Sequence, residues 1–199
     1  DMLDVYYRLG VRLMTLTWNF RNCIGVGSAE YDICDGLSDF GKKSIKRMNE
    51  LGILVDVSHL NKYGFKDVLE YCEKPFIASH SNAYNICNCQ RNLEDWQIKE
   101  IAKYKGVIGI NYYPHFVNGN DNCSINDVMK HIEYIINLVG DDFVGIGSDF
   151  DGISCTPNEL KSVKDTEMLI KAVENKFGKS TAEKFAYGNF NRVFKEILK

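Results

Sequence analysis

Prolines are scarce, 3 in 199 residues, and no apolar run approaches the roughly 20 residues that a membrane-spanning helix needs. With no N-terminal signal-peptide pattern either, a membrane is not expected among the partners. Positive charge is not in surplus. The 24 Lys+Arg stand against 27 Asp+Glu, a net charge of −3, which leaves no cationic excess to displace counterions from a phosphate backbone and excludes general nucleic-acid affinity. The CxxC pairs of zinc ribbons are missing too. Seven cysteines, an odd number, are scattered from Cys23 to Cys155, which fits reduced thiols and a cytoplasmic location; the close pair Cys87 and Cys89 is only half of a metal site. Core material is abundant. Hydrophobic residues make up 45% and aromatic residues 12%, enough to exclude disorder and to build a single domain over residues 1–199.

Short β-branched and apolar runs alternate with amphipathic stretches of ten or more residues, the pattern of βα units around a parallel sheet, so the fold class is α/β. The expected strands are VRLMTLT from Val11, ILVDVSH from Ile53, PFIASH from Pro75, VIGINYY from Val107 and VGIGSD from Val144. Helices are expected from the cap Ser38 to Leu51 with a stop at Gly52, from the cap Asn92 through Trp96, Ile98 and Ile101 to Gly106, and over Ile125 to Val139. Two more are expected from about Glu159 and about Thr181. The opening MLDVYYRLG reads as the back half of a βα unit. Five strands fall short of a closed barrel, which takes eight strands and typically about 250 residues, but suit an open doubly wound sheet; the chemistry at the strand ends must decide.

In parallel α/β folds the ligand site gathers at the carboxyl ends of the strands. Those ends are polar throughout: Thr17 and Asn19, Ser58 and His59, Ser79 and His80, Asn111 and Tyr112, Ser148 and Asp149. Two neighbouring strands ending in Ser-His set two imidazoles side by side on rigid supports, which points to a metal. Asp149, in GIGSDFDG, suits either a metal ligand or a general base. Asp151 reads as a turn residue, and DFDG lacks the glutamate of a calcium loop. Asp56, a carboxylate inside a strand, either orients a histidine or bonds to backbone. Arg91, in the loop after the second histidine, reads as a clamp for a substrate carboxylate or as a surface residue. Asn19 and Tyr112 join Arg91 as substrate-binding candidates, while His115 and His131 lie away from strand ends and carry no expected role.

Taken in order, LTWN, DVSH, ASHSNA followed by RN, GVIGINYYP and GIGSDFDG, with a terminal YGNFNRVF, resemble the membrane (renal) dipeptidase family, the zinc-dependent M19 peptidases, along essentially the whole chain. The resemblance implies a TIM-like (β/α)8 barrel, with about five of its eight βα units, strands four to eight, in this sequence. It implies a two-zinc site that hydrolyses dipeptides through a metal-bound hydroxide. His59 and His80 are then ligands of one zinc, Asp149 is the catalytic acid/base and a contact to the other, and Arg91 holds the substrate carboxylate. Trp18 stands where some members carry a carbonyl-polarising histidine, a role that passes to Asn19. The family's His-x-Asp pair and bridging glutamate have no counterpart here, so at most one zinc is expected to bind, with impaired activity. Self-association or a missing N-terminal barrel segment is the corresponding expectation for partners. The alternatives are a related barrel amidohydrolase and a non-catalytic binding remnant.

Overall fold

The computed structural model describes residues 2–198. Four parallel strands, β1 (Leu13–Thr15), β2 (Leu54–Asp56), β3 (Ile108–Asn111) and β4 (Val144–Ser148), follow one another in space in chain order. The third expected strand shrinks to a two-residue link: Ile77 pairs with Asp56 on one side and Ala78 with Ile108 on the other. Its start lacks an N–H at Pro75. Its end is cut because the Ser79 N–H is taken by the Asp56 carboxylate, at 2.9 Å, instead of by the ladder. The Ser58 N–H goes to the same Oδ1, at 3.0 Å, and β2 ends there too.

Helices α1 (Met2–Arg8), α2 (Asp39–Leu51), α3 (Lys62–Tyr71), α4 (Asp95–Lys103), α5 (Pro114–Val117), α6 (Ile125–Val139), α7 (Thr166–Phe177), α8 (Lys179–Glu183) and α9 (Asn189–Ile197) surround the sheet. Ser38 caps α2 by accepting from the Gly41 N–H, and Gly52 ends it in the left-handed conformation at φ 81°, where a side chain is strained. Helix α6 keeps its expected bounds. Two expected starts move. Helix α4 is capped by Glu94, whose N–H bonds Gln97, because the Asn92 amide is spent on the Cys87 and Phe116 carbonyls. Glu159 does not open a helix; its carboxylate accepts the Ile125 N–H of α6, and α7 starts at Thr166. A π turn over Lys184–Gly188 joins α8 to α9.

Alternation along the strands divides the core. Val55, Ala78, Ile108, Ile110 and Val144 face Met48, Phe65, Ile98, Ile132 and Val173 of the helices. Leu54, Ile77 and Val107 face the other way and are closed by Val193 and Ile197 of α9. Phe65 is fully buried in the core, and the partly buried Trp96 packs edge-on to it at 5.2 Å. Towards the strand carboxyl ends the inner face turns from apolar to polar. Among the described residues no helix is long and apolar enough to cross a membrane.

Candidate metal and substrate site

Asp56 is the hub of the polar end. Fully buried, its carboxylate accepts from Thr15 Oγ1 (2.7 Å), Ser79 Oγ (2.6 Å) and the Ser58 and Ser79 N–H groups, so the cost of burying it is met by four donors from three adjacent strand segments. Both sequence readings of Asp56 hold at once, since it binds backbone and also orients a histidine through Ser79. With its one proton given to Asp56, Ser79 Oγ is left to accept from His80 Nδ1 at 2.7 Å. His59 is fixed likewise: its Nδ1 donates to Asn19 Oδ1 at 3.0 Å.

With both Nδ1 atoms protonated, the two Nε2 atoms carry lone pairs, and they face each other 2.9 Å apart. Two nitrogens bound to one zinc at about 2.0–2.1 Å each lie about 3.3–3.4 Å apart at the tetrahedral angle, so a shift of a few tenths of an ångström admits the ion. A proton taken up from solvent to screen them is disfavoured, and the neutral alternative, a proton moved from Nδ1 to Nε2, gives up the Nδ1 bond to Asn19 or to Ser79. Burial, with Arg91 and the partner ring, lowers His59 to about 3, and burial with Arg91 lowers His80 as well, against the pull of Asp56 and Asp149. A metal cation fits the pair better than a proton does.

The backbone bends where the site needs it. His59 sits at φ 67°, Ser148 at φ 38° and Asp149 at φ 74°, left-handed conformations that are uncommon without glycine and that gather here. The β3–β4 register slips between Ile110 and Asn111, so that Asn111 pairs with Ser148, and this bulge re-aims both strand ends. Asn111 Nδ2 then donates to Asp149 Oδ2 at 2.9 Å. Gly109 permits the close packing, for a Cβ there would overlap the Ser79 carbonyl oxygen.

Arg91 places Nη2 on the His80 carbonyl at 3.2 Å, lies over the Phe116 ring, and keeps Nε buried without a partner. Burial lowers its pKa to about 10, with Asp56 and Asp149 opposing, so it remains charged at neutral pH. His59 and Arg91 line one narrow cleft, with a cavity volume of about 40 Å³, together with Ser28, Tyr31, Gln90 and Asn92.

The structure thus gathers His59, His80 and Asn19 directly, and sets Arg91 against His80. Asn19 orients His59, a role the sequence did not suggest. Tyr112 is a correction. It belongs with Ile108 and Ile110 to the helix-facing core, fully buried and edge-on to Phe150, because it follows Asn111 on the strand and so points to the opposite face. Asn111 takes the place on the site face. Asp151 lies on an exposed turn, and His131 is a core residue, accepting from the Ala83 N–H and donating to the Val117 carbonyl.

The family model for membrane dipeptidase, peptidase family M19, matches residues 1–199. A Klebsiella pneumoniae protein described as an uncharacterized protein in the pqqA 5′ region is 34% identical over 205 residues, covering 98% of this chain and 75% of its own length. An uncharacterized dipeptidase of Schizosaccharomyces pombe, C965.12, is 37% identical over 179 residues, covering 87% of this chain and 43% of its own. A metallopeptidase from Rhodobacter sphaeroides, solved with a phosphinate mimic of the dipeptide L-Ala-D-Ala, superposes with a TM-score of 0.93 at 28% identity over 99% of this chain. This chain spans 59% of that solved protein.

Proposed function

The chain belongs to the membrane dipeptidase family, peptidase family M19, and on that premise we propose that it supplies the histidine, acid/base and carboxylate-binding side of a zinc-dependent dipeptidase centre. The observation that carries this reading is the His59–His80 pair, whose Nε2 lone pairs face each other while Asn19 and the Asp56–Ser79 relay hold the Nδ1 protons. The likeness to a metallopeptidase that binds a dipeptide mimic supports the substrate class.

His59 and His80 would hold one zinc ion; Asp149, which the family resemblance sets against the other ion, is the one remaining carboxylate of this chain that could complete the first if it binds alone. When bound, zinc polarises the peptide carbonyl and makes water a better nucleophile. Two histidines and one aspartate fit a single ion, and the rest of a two-metal set belongs to the part of the barrel that this chain does not span. The five strand segments are units four to eight of that (β/α)8 barrel. Asp149, steadied by Asn111, takes the proton of the attacking water and passes it to the leaving amine, acting as base and then as acid. Arg91, whose buried Nε lacks a partner, holds the free carboxylate of the dipeptide and limits the substrate to short peptides. Asn19 Nδ2 is left to donate to the scissile carbonyl, since Oδ1 is engaged by His59.

The test uses the protein with its barrel completed. Asp149→Asn is expected to lower kcat on a dipeptide by about 10²- to 10⁴-fold with the fold intact. An Asn variant as fast as the parent removes Asp149 from the mechanism, and a completed protein that binds zinc but cleaves no dipeptide removes the substrate class.

A further inference from the structure

The loops that follow β3 and β4 bring together a second group of metal-ligating side chains. His115 lies on α5, Asp121 on the loop behind it, and Cys155 shortly after the turn that follows Asp149; one ligand atom of each lies within 4.8 Å of the others. His115 Nε2 stands 3.0 Å from Asp121 Oδ1. The supports of the three are braced. The His115 ring packs on Tyr113 at 5.0 Å, and Asn118 Nδ2 donates to the Asn122 carbonyl at 3.0 Å. From the Cys155 segment, Asn158 donates through its side chain to Asn122 Oδ1 at 3.0 Å and through its N–H to the Cys123 carbonyl at 2.8 Å. The two loops are therefore already tied beside the cluster, and the three side chains meet across the same junction.

Imidazole, carboxylate and thiolate together suit a borderline divalent cation, and three protein ligands with one open position are a common zinc set. The neighbouring Cys123 does not compete: it is buried and its Sγ donates to the Ser124 carbonyl, whereas Cys155 is partly exposed. We propose that His115, Asp121 and Cys155 form a site for a zinc-like divalent cation, with water in the remaining position, separate from the strand-end histidines, that staples the loop after β3 to the loop after β4. Those loops leave the strand ends that carry Asn111 and Asp149, so the staple would hold the acid/base aspartate and its partner in register.

Cobalt(II) added to the reduced, metal-free chain separates this site from the strand-end histidines, because thiolate-to-cobalt charge-transfer absorption needs a sulfur ligand and His59, His80 and Asp149 offer none, and Cys155→Ser then separates it from the other thiols. The absorption is expected in the parent and in a His59→Ala/His80→Ala double variant. It should vanish in Cys155→Ser, and require at least about tenfold more cobalt in His115→Ala and in Asp121→Asn, with far-ultraviolet circular dichroism unchanged. Absence of the band in the parent, its survival in Cys155→Ser, or its loss with the strand-end histidines overturns the assignment. The measurement needs no peptidase activity, so it stands or falls apart from the proposed function.

Discussion

Replacing Asp56 by Asn tests how the histidine pair is kept ready for a cation, because it keeps the shape of the hub and reverses its polarity. The carboxamide oxygen still accepts from the Ser58 and Ser79 N–H groups, but its NH2 now faces the hydroxyls of Thr15 and Ser79, which bond to Oδ2 at 2.7 and 2.6 Å in the parent. Both hydroxyls must turn round to accept. Ser79 then sends its proton to His80 Nδ1, 2.7 Å away, and His80 moves its own proton to Nε2, the atom that faces His59. A protonated Nε2 cannot ligate. Affinity for zinc should fall by about 10- to 100-fold, as when a ligand's orienting partner is lost. Losing the charge from the buried hydrogen bonds should cost about 1–3 kcal/mol of stability. Competition with a chelator measures the first, denaturant unfolding the second, and nitrogen-15 spectra of the metal-free protein report the tautomer directly. If the Asn variant keeps an Nδ1–H tautomer at His80 and parental zinc affinity, the relay does not set the histidine and the reasoning fails.

Acid should destabilise the fold by driving its buried histidines to protonate. His131 is lowered to about 4 and His59 to about 3 by burial, so the unfolded chain, with histidines near 6.5, takes up protons first; the stabilisation is complete above about pH 6.5 and is lost as pH falls towards 4. A denaturation midpoint that stays flat between about pH 7 and about pH 5 would contradict this. Gly109→Ala drives a methyl into the Ser79 carbonyl and should cost about 1–3 kcal/mol while weakening zinc binding through His80; unchanged zinc affinity in a folded variant refutes the second half. The chain by itself should self-associate, because among the described residues β1 and β4 have open edges and α1 with the turn after it exposes Met2, Val5 and Leu9, so light scattering should give a mass above 22.7 kDa.

The parts of this protein that were legible in its sequence are those fixed by local chemistry. Ser38 and Gly52 bound α2 because a hydroxyl cap and a left-handed glycine act within one turn, and the apolar stripe of α6 is a property of that helix alone. The two Ser-His strand ends were legible for the same reason. Parallel pairing carries neighbouring strands to one rim, so residues 59 and 80 meet once the period of each strand is known. Where the reading slipped, a side chain had competed with the backbone. The Asp56 carboxylate ended two strands early, Asn92 turned away from its expected helix to bond two distant carbonyls, and Glu159 capped α6 instead of opening α7. Tyr112 slipped by one position, which on a strand reverses the face. His115, Asp121 and Cys155 left no signal at all, since they converge from two loops with no fixed spacing. The same distinction explains the division of labour at the rim. The residues that would bind the cation sit at strand ends, where periodicity finds them, whereas those that orient them, Asn19, Asp56 and Ser79, act across strands. Their role follows from which proton each hydroxyl or amide has to give, and that becomes determinate only once the neighbouring strand is in place.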